Sequence, residues 1–371
     1  MWQPGAQVAR ARGVQALRSL GGALREVGFT EEATVAALSA EDPTDLLSNT
    51  AFYAVCSAER VPELLTSPAG VMAQLFVRNG EVPGDVYTTV VPTALRGLLA
   101  ALELVVERGG TVTSEVSVSP CRSMYLLSDQ LFRGDASVTM AARSTLVMPP
   151  HASSFELLDN LGPVDGRLLD VGCGCGILAL ALREGCSSVV GVDLNPRAVA
   201  YSQVNALVNG LDVGPQEKAD FLAADLRSGL AVGDLADHLV FNSPTGPNHH
   251  AEAEVGWMSA EHALGFVAAA MPGVLRPGGT ARVLLIVEVP EDSPSVPELV
   301  RGWLPEEQDV QVAELRRSPL AISAAAVTRG RLDPGCLMAD GAAGAARLVE
   351  HLRERRVREV VPALVTLTLP G

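Results

Sequence analysis

The segment RLLDVGCGCGILALALREG, from Arg167 to Gly185, constrains the fold of this chain more than any other. An apolar run typical of a buried strand leads directly into three glycines at alternate positions, and a helical pattern follows. Glycines at such a junction let the backbone turn sharply and approach a ligand closely, and the helix N-terminus offers free N–H groups. The segment therefore predicts a nucleotide cradle between a strand and a helix.

The cysteines between these glycines suggest a different chemistry. Cys173 and Cys175 could belong to a metal or redox site, but no second Cys or His pair at zinc spacing lies nearby. The chain has six cysteines scattered through 371 residues, unlike the dense disulfide framework of a small secreted domain. We interpret both cysteines as small side chains next to glycines and expect no metal.

Strand and helix patterns alternate after the junction segment LVMPPHASSFELLDNLG (146–162), which predicts an α/β domain with a parallel sheet over residues 146–371. The predicted strands are Arg167–Val171, Ser188–Val192, Ala219–Ala223, Leu239–Asn242, Ala281–Val289, Val310–Leu315 and Ala363–Leu369.

Residues 1–145 show a different pattern and are predicted to form a separate N-terminal domain for substrate recognition or as a cap. Helices are expected to start at Asp42–Pro43, at Ser67–Pro68 and at Pro92, the last continuing to Gly109. The alternating segment TVTSEVSVSPCRSMYLLSD (111–129) then predicts one β-hairpin. The expected architecture is a helical plus β-hairpin domain in front of the α/β domain.

Charge and hydropathy narrow the classes of partner. The net charge is −15, which argues against nucleic-acid binding because such binding depends on Lys and Arg. The basic stretch HLRERRVRE (351–359) alternates with glutamates and is typical of a solvated helix face. No apolar run is long enough to span a bilayer, and the first residues lack a secretory signal pattern, so we expect a cytoplasmic protein without a membrane segment.

Three carboxylates are expected around the glycine cradle. Asp170 precedes the loop, Asp193 closes the next strand about twenty residues on, and Asp225 follows the third strand. A nicotinamide oxidoreductase would share this geometry, but dinucleotide sites favour G-x-G-x-x-G and an acidic residue at position 170 would repel pyrophosphate. The carboxylates favour a cationic nucleoside instead.

Four motifs in order, LLDVGCGCGILAL, VVGVDLNP, AADL and HLVFNSPTG, resemble those of class I S-adenosylmethionine-dependent methyltransferases. The resemblance implies a Rossmann-like seven-stranded sheet and S-adenosyl-L-methionine as cofactor. It also implies a cofactor site in which the glycines line the methionine moiety, Asp193 holds the ribose, two leucines sandwich the adenine and Asp225 binds its amino group, while the charge of Asp170 suits the sulfonium and ammonium groups. The implied residues are Asp170, Gly172, Gly174, Gly176, Asp193, Leu194, Asp225, Leu226 and Asn242.

The stretch Asn242-Ser243-Pro244-Thr245 resembles the Asn-Pro-Pro-Tyr element of nitrogen methyltransferases, including the release-factor glutamine and small-domain ribosomal RNA enzymes. The resemblance implies that Asn242 and Pro244 lie at the acceptor and orient its NH₂ group. Ser243 and Thr245 depart from the pattern, and without an aromatic platform a flat acceptor loses stacking of about 1–3 kcal/mol. The alternative for Asn242 is a strand-end residue that caps the loop.

His249 and His250 follow on the same loop. Either could act as a general base at neutral pH, and the alternative is a pair of exposed loop residues. The leading hypothesis is an N-methyltransferase of a small-molecule or peptide amine or amide. A methyltransferase of ribosomal RNA or a translation protein is the alternative, and an NAD(P)-dependent oxidoreductase is a distant third. The sequence leaves the acceptor and the oligomeric state open.

Overall fold

The structure is a computed structural model that describes residues 2–134, 145–226, 234–245, 258–293, 295–318, 320–323 and 349–371. The α-helices in these ranges are α1 (Pro4–Val8), α2 (Ala11–Glu26), α3 (Glu31–Leu38), α4 (Pro43–Ser48), α5 (Thr50–Cys56), α6 (Val61–Leu64), α7 (Pro68–Phe76), α8 (Gly84–Val90), α9 (Thr93–Ala101), α10 (Ala152–Asn160), α11 (Ile177–Leu182), α12 (Pro196–Val208), α13 (Ala260–Val274) and α14 (Val296–Arg301).

The strands are β1 (Val82–Pro83), β2 (Val105–Arg108), β3 (Thr111–Ser114), β4 (Ser117–Cys121), β5 (Met124–Ser128), β6 (Arg167–Val171), β7 (Ser188–Asp193), β8 (Ala219–Ala223), β9 (Ala236–Asn242), β10 (Leu275–Pro290), β11 (Asp309–Glu314), β12 (Ile322–Ser323) and β13 (Val357–Thr368). All seven strands predicted for the α/β domain are present as β6 to β11 and β13.

The main sheet has the strand order β8-β7-β6-β9-β10-β13-β11, and the short β12 pairs with β13. The first five strands of this path are parallel, whereas β13 runs antiparallel to both β10 and β11. This order, with one reversed strand next to the edge, is the class I methyltransferase fold, so the expected fold class is confirmed.

The chain adds strands on one side of β6 and then on the other, so a topological switch point lies between β6 and β9. This switch point determines where a ligand can bind. The chain proceeds outward from β6 through β7 to β8, then returns to β9 on the other side. In open α/β sheets the crevice beyond the carboxyl ends of strands at such a switch point is the binding site. The register pairs Val171 with Phe241, so Gly172 and Asn242 are the next residues at the same end.

Helix starts in the N-terminal region follow the predicted capping residues. The Asp42 side chain accepts from the Asp45 N–H at 2.8 Å, and the Ser67 hydroxyl accepts from the Gly70 N–H at 3.1 Å. Each cap satisfies one N–H group that the first helical turn leaves without a partner. The prediction of helix starts at these positions is confirmed.

The prediction of a helix from Pro92 to Gly109 is wrong in its second half. Helix α9 ends at Ala101, and Glu103 adopts a φ of +56°, which a continuing helix excludes. The β-branched pair that follows belongs to β2, and the Gly109-Gly110 turn, with φ of +60° and +83°, leads into β3. A glycine pair between valine-rich segments is typical of a β-hairpin, but the apolar residues before it also fit a helical period, and the segment was predicted as a helix.

The single hairpin predicted over residues 111–129 is two hairpins. Strand β3 pairs backward with β2, while β4 pairs with β5 around a turn at Arg122 and Ser123, which have φ of +48° and +62°. Pro120 lies within β4 opposite Tyr125 instead of ending a strand. We name the β4–β5 pair the inner hairpin, because every residue of both strands is buried.

One hydrophobic cluster joins the N-terminal helices to the α/β sheet. It contains Leu17 and Leu24 of α2, Leu126 of the inner hairpin and Leu168 of β6. A second cluster lies on the other face of the sheet, where α13 packs. The division into two domains at residue 145 stays a prediction. No helix in the described ranges is both long and apolar enough to cross a membrane.

Candidate active site

The loop after β6 has a backbone that only glycine adopts without strain. Gly172, Gly174 and Gly176 have φ of +64°, +56° and +83°. A Cβ on Gly176 would lie 3.0 Å from Ser202 Oγ, and one on Gly172 would lie 3.3 Å from the Phe241 ring. Next to Gly174 the nearest heavy atom would be 3.9 Å away. The glycines therefore form a cradle that is tightly packed at Gly172 and Gly176 and has more room at Gly174.

Asp170 is a buried carboxylate at the base of this cradle. It has no exposed surface, and its Oδ2 accepts from the Ala179 N–H at 3.0 Å. Its Oδ1 has no hydrogen-bond partner among the described residues. Burial, assisted by the nearby Asp193 carboxylate, raises the pKa of Asp170 to about 7. An unsatisfied buried carboxylate oxygen fits a ligand that brings a positive charge or a hydrogen-bond donor.

Asp193, at the end of β7, holds the glycine loop in addition to its expected role with ribose. Its Oδ2 accepts from the Gly174 N–H at 2.9 Å and its Oδ1 from the Asn195 N–H at 2.8 Å. Burial raises the pKa of Asp193, and these two hydrogen bonds oppose the rise. Each oxygen keeps a second lone pair, so the carboxylate can also accept from ribose hydroxyls.

The residues expected to surround the adenine lie in different environments. Leu194 is 62% exposed and offers an apolar surface beside Asp193. The Ala224 N–H donates to the Asp193 carbonyl at 2.9 Å and so brings the loop after β8, with the half-buried Asp225, next to this residue. Leu226 is buried and belongs to the cluster on the α13 side of the sheet. Their contact with adenine stays a prediction.

Asn242 ends β9 and is held by two serines that sequence analysis did not single out. Its Nδ2 donates to Ser153 Oγ at 3.0 Å and to Ser154 Oγ at 3.2 Å. Both serines lie in the first turn of α10, directly after the Pro149-Pro150 pair of the junction segment. Because both amide hydrogens are directed to α10, the amide oxygen is the group left to accept from a ligand.

Ser243 and Thr245 face the sheet instead of an acceptor. Both are buried; Ser243 Oγ donates to the Leu284 carbonyl, and Thr245 Oγ1 accepts from the Ile286 N–H at 2.8 Å. These bonds fasten the loop to β10. Pro244 is half-buried, and its carbonyl accepts from the Met258 N–H at 3.1 Å. Ser243 and Thr245 stand where the Asn-Pro-Pro-Tyr element has its first proline and its tyrosine. In this chain both side chains bond the loop to β10.

His249 and His250 lie outside the described residues, so their role as a general base stays a prediction. Cys173 and Cys175 are buried, and burial raises the pKa of both thiols, that of Cys175 to about 12. They fill space beneath the loop, where Cys173 Sγ lies 3.5 Å from Ser202 Oγ. Among the residues whose positions are described, no group of three His, Cys, Asp or Glu could hold a metal ion.

Comparisons with known proteins match the cofactor half of this domain. Residues 150–238 match the family model of ribosomal protein L11 methyltransferase (PrmA). The ribosomal protein L11 methyltransferase of Vibrio cholerae serotype O1 is 31% identical over 146 residues, which cover 39% of this chain and 42% of that protein. The one from Shewanella denitrificans is 40% identical over 100 residues, covering 27% and 32%.

A solved structure of phosphoethanolamine N-methyltransferase 2 from Haemonchus contortus, in complex with S-adenosylhomocysteine, aligns with 59% of this chain and 52% of its own, at 14% identity and a TM-score of 0.35. The chain spans less than half the length of the two curated relatives described above. Neither of them is named a release-factor glutamine methyltransferase, so that finer resemblance stays a prediction.

The family match contains the glycine loop, Asp193 and Asp225, on a sheet with the class I strand order. It confirms the expected methyltransferase class and the expected cofactor for this domain. The α/β part of the chain is a class I methyltransferase domain that uses S-adenosylmethionine, similar over residues 150–238 to ribosomal protein L11 methyltransferases.

Proposed function

We propose that the whole protein transfers a methyl group from S-adenosylmethionine to an amino nitrogen of a protein or peptide. The observation that carries the proposal is the position of Asn242. Its side chain is fixed by Ser153 and Ser154 and follows β9 at the same end of the sheet where Gly172 follows β6. At this position the Asn242 side chain would offer the substrate a hydrogen-bond acceptor beside the cofactor cradle.

The cofactor side of the proposal rests on the cradle residues. Asp170 would provide the negative charge beneath a cationic ligand, Asp193 would accept from ribose hydroxyls, and Asp225 would accept from the adenine amino group. The glycine loop would admit the methionine moiety above Gly174, where a Cβ would have no described heavy atom closer than 3.9 Å. Bound there, S-adenosylmethionine supplies an electrophilic methyl group on a sulfonium.

The acceptor side follows from the orientation of the Asn242 amide. With its Nδ2 donating to the two serines, its oxygen would accept an N–H of the incoming amine and aim the nitrogen lone pair at the cradle. Such positioning supplies most of the rate enhancement when the nucleophile is a neutral nitrogen. The amine must be unprotonated before attack, and the second proton leaves after transfer.

Three observations favour a protein or peptide over a nucleobase. The Asn242–Thr245 stretch contains no aromatic side chain, and Thr245 is buried against β10, so this stretch offers no stacking platform. The net charge of −15 favours a basic protein over a polyanion. The relatives of the cofactor half are named for ribosomal protein L11. A translation protein of that kind is the first substrate to test.

The test is a methyl-transfer assay with radiolabelled S-adenosylmethionine and separate panels of ribosomal protein L11, lysine-rich peptides, small amines and ribosomal RNA. We expect label in a protein or peptide, with mass spectrometry placing it on nitrogen. The Asn242→Ala variant serves as the control for adventitious labelling. Label in ribosomal RNA alone, or in a small amine alone, would contradict the proposed acceptor class, and label on oxygen would contradict the role of Asn242.

A further inference from the structure

One edge of β5 is bonded by helix side chains instead of another strand. Because β5 pairs with β4 antiparallel, its backbone groups point alternately toward and away from β4, and those of Tyr125 and Leu127 point away. Asn209 Oδ1 accepts from the Tyr125 N–H at 2.9 Å, and its Nδ2 donates to the Tyr125 carbonyl at 2.8 Å. Asn205 forms the same pair of bonds with Leu127, at 2.7 and 2.9 Å.

The spacing of the two asparagines explains why a helix can replace a strand here. Tyr125 and Leu127 are two residues apart, which corresponds to about 6.8 Å along a strand. Asn205 and Asn209 are four residues apart, which corresponds to about 6 Å along a helix. Their amides therefore repeat with nearly the period of the strand edge, and the sequence NALVN (205–209) marks the pairing.

The two asparagines differ in a single bond. The second hydrogen of Asn205 Nδ2 is donated to the Cys175 carbonyl in the glycine loop, at 2.8 Å. The second hydrogen of Asn209 Nδ2 is donated within α12, to the Asn205 carbonyl at 2.7 Å. Asn205 is fully buried, and all of its amide hydrogens are used. Of the two asparagines, Asn205 is the one that bonds to both the inner hairpin and the cofactor cradle.

The bond from Asn205 to the Cys175 carbonyl acts on a part of the loop that other hydrogen bonds also hold. Ser202 Oγ, one turn earlier on α12, donates to the Gly174 carbonyl at 3.0 Å, so α12 holds two successive loop carbonyls. The Gly176 N–H donates back to the Cys173 carbonyl at 2.7 Å. Because a trans peptide directs its N–H opposite to its carbonyl, the Ser202 bond directs the Cys175 N–H away from α12, and the Asn205 bond likewise sets the direction of the Gly176 N–H.

We propose that Asn205 is a positioning residue that couples the inner hairpin to the cofactor cradle. The hairpin fixes the Asn205 amide through Leu127, and the amide fixes the Cys175 carbonyl and hence the shape of the loop that receives the cofactor. The N-terminal part of the chain thereby contributes to cofactor affinity without contacting the cofactor. The inference rests on the proposed function, because it takes the glycine loop to be the cofactor cradle.

Asn205→Ala and Asn209→Ala form a matched pair for testing this coupling. Both variants lose two bonds to β5, so both should lower the melting temperature by several degrees. Calorimetric titration with S-adenosylhomocysteine should show about tenfold weaker binding for Asn205→Ala and a change within about twofold for Asn209→Ala. Equal losses in both variants, or no loss in Asn205→Ala, would overturn the coupling. A wild-type chain that fails to bind S-adenosylhomocysteine would instead overturn the proposed function.

A measurement on the wild-type chain keeps the inference testable if Asn205→Ala does not fold. In protein labelled with ¹⁵N asparagine, saturating S-adenosylhomocysteine should shift the side-chain amide resonance of Asn205 and leave that of Asn209 in place. Each of the two resonances is assigned by its loss, that of Asn209 in Asn209→Ala and that of Asn205 in the conservative variant Asn205→Gln. An unmoved Asn205 resonance, or equal shifts of both, would overturn the proposal.

Discussion

Asn242 Nδ2 lies 3.0 Å from Ser153 Oγ, and this bond joins the carboxyl end of β9 to the first turn of α10. Because it fixes the plane of the amide, it determines where the amide oxygen can meet a substrate. Asn242→Ala should reduce turnover by about a hundredfold or more, since one positioning hydrogen bond at a preorganised site is lost. Cofactor affinity should change by less than about threefold, because the lost group faces the acceptor.

The serines provide a graded control for this prediction. Each of Ser153→Ala and Ser154→Ala leaves the amide with one hydroxyl partner, so each should reduce turnover less than the double substitution does. Steady-state kinetics with a labelled acceptor and calorimetry with S-adenosylhomocysteine would separate the two effects. If the double serine variant retained full turnover, the orientation of Asn242 would not depend on α10.

The His249→Ala and His250→Ala variants test the alternative chemistry. An amine that has lost its proton to water before it binds needs no base at the site, so each substitution should cost far less turnover than Asn242→Ala. Parallel rate measurements on the three variants decide between direct and base-assisted transfer. An inactive histidine variant together with an active Asn242 variant would indicate transfer to oxygen or to a protonated amine.

Asp193→Ala should weaken cofactor binding about ten- to a hundredfold, because hydrogen bonds to a charged group contribute about 1.5–3 kcal/mol. It should also lower the melting temperature, since the carboxylate holds the N–H groups of Gly174 and Asn195. Calorimetry and thermal unfolding measure the two effects separately. An unchanged dissociation constant would remove Asp193 from the cofactor site, whatever happens to stability.

The strands of the α/β domain were predictable from the sequence because central parallel strands are buried on both faces and appear as continuous apolar runs. Arg167–Val171, in the middle of the sheet, matches β6 at both ends, and the prediction for the edge strand β8, Ala219–Ala223, is also correct at both ends. The helix predicted across residues 102–109 failed because local periodicity does not register the strand pairing of Val105 and Val106 with β3. Tertiary pairing decided the structure of that segment.

The cofactor side of the site was predictable for a similar reason, since Asp170, the glycines and Asp193 lie within one strand–helix–strand unit. On the acceptor side Asn242 was singled out but its partner Ser153 was not, because the two residues are 89 positions apart and meet through the adjacency of β6 and β9. Asn205 and Asn209 were hidden differently. Their four-residue spacing can be read from the sequence, but the sequence does not show that β5 packs against this face of α12 and bonds to both amides.

Gly176→Ala should abolish measurable cofactor binding and destabilise the fold, and Gly110→Ala is its matched control. Both glycines have φ of +83°, so an alanine is strained by a left-handed φ at either position. A Cβ at Gly176 meets Ser202 Oγ at 3.0 Å, whereas none of the described atoms lies within 4 Å of a Cβ at Gly110. Thermal unfolding should show a larger decrease for Gly176→Ala. If the two variants lost the same stability and bound the cofactor equally well, the close approach of Gly176 to Ser202 would not matter for the loop.

Cys173 and Cys175 should be unreactive in the folded protein, because burial holds the pKa of both thiols far above neutrality. Exposed Cys56 provides the internal control. Brief treatment with iodoacetamide, followed by peptide mass spectrometry, should find Cys56 modified and the loop cysteines intact. Replacing both loop cysteines with alanine should leave cofactor affinity within a few-fold. Rapid labelling of either, or a metal lost on the double substitution, would contradict their space-filling role.

The pKa of Asp170, which burial raises to about 7, predicts how pH controls the cofactor site. Below pH 7 the carboxyl is increasingly protonated, and a neutral carboxyl attracts a cationic ligand less than a carboxylate does. The affinity for S-adenosylmethionine should therefore decrease by up to about tenfold in total as pH falls from 8 to 6, as the ionised fraction of Asp170 falls. Asp170→Asn should bind more weakly at pH 8 and show a much flatter pH dependence.

The same shift has an independent consequence for stability in the absence of ligand. The folded-state pKa of Asp170 lies above the ordinary value near 3.9, so the folded state binds the proton more tightly. Its contribution to the free energy of unfolding is then fully present below that ordinary value and is lost as pH rises through about 7. Urea unfolding at pH 5.5 and pH 8 should find Asp170→Asn gaining stability relative to wild type at the higher pH. If that difference did not change with pH, Asp170 would be ionised across the range, and the pH dependence of cofactor binding would have to come from another group.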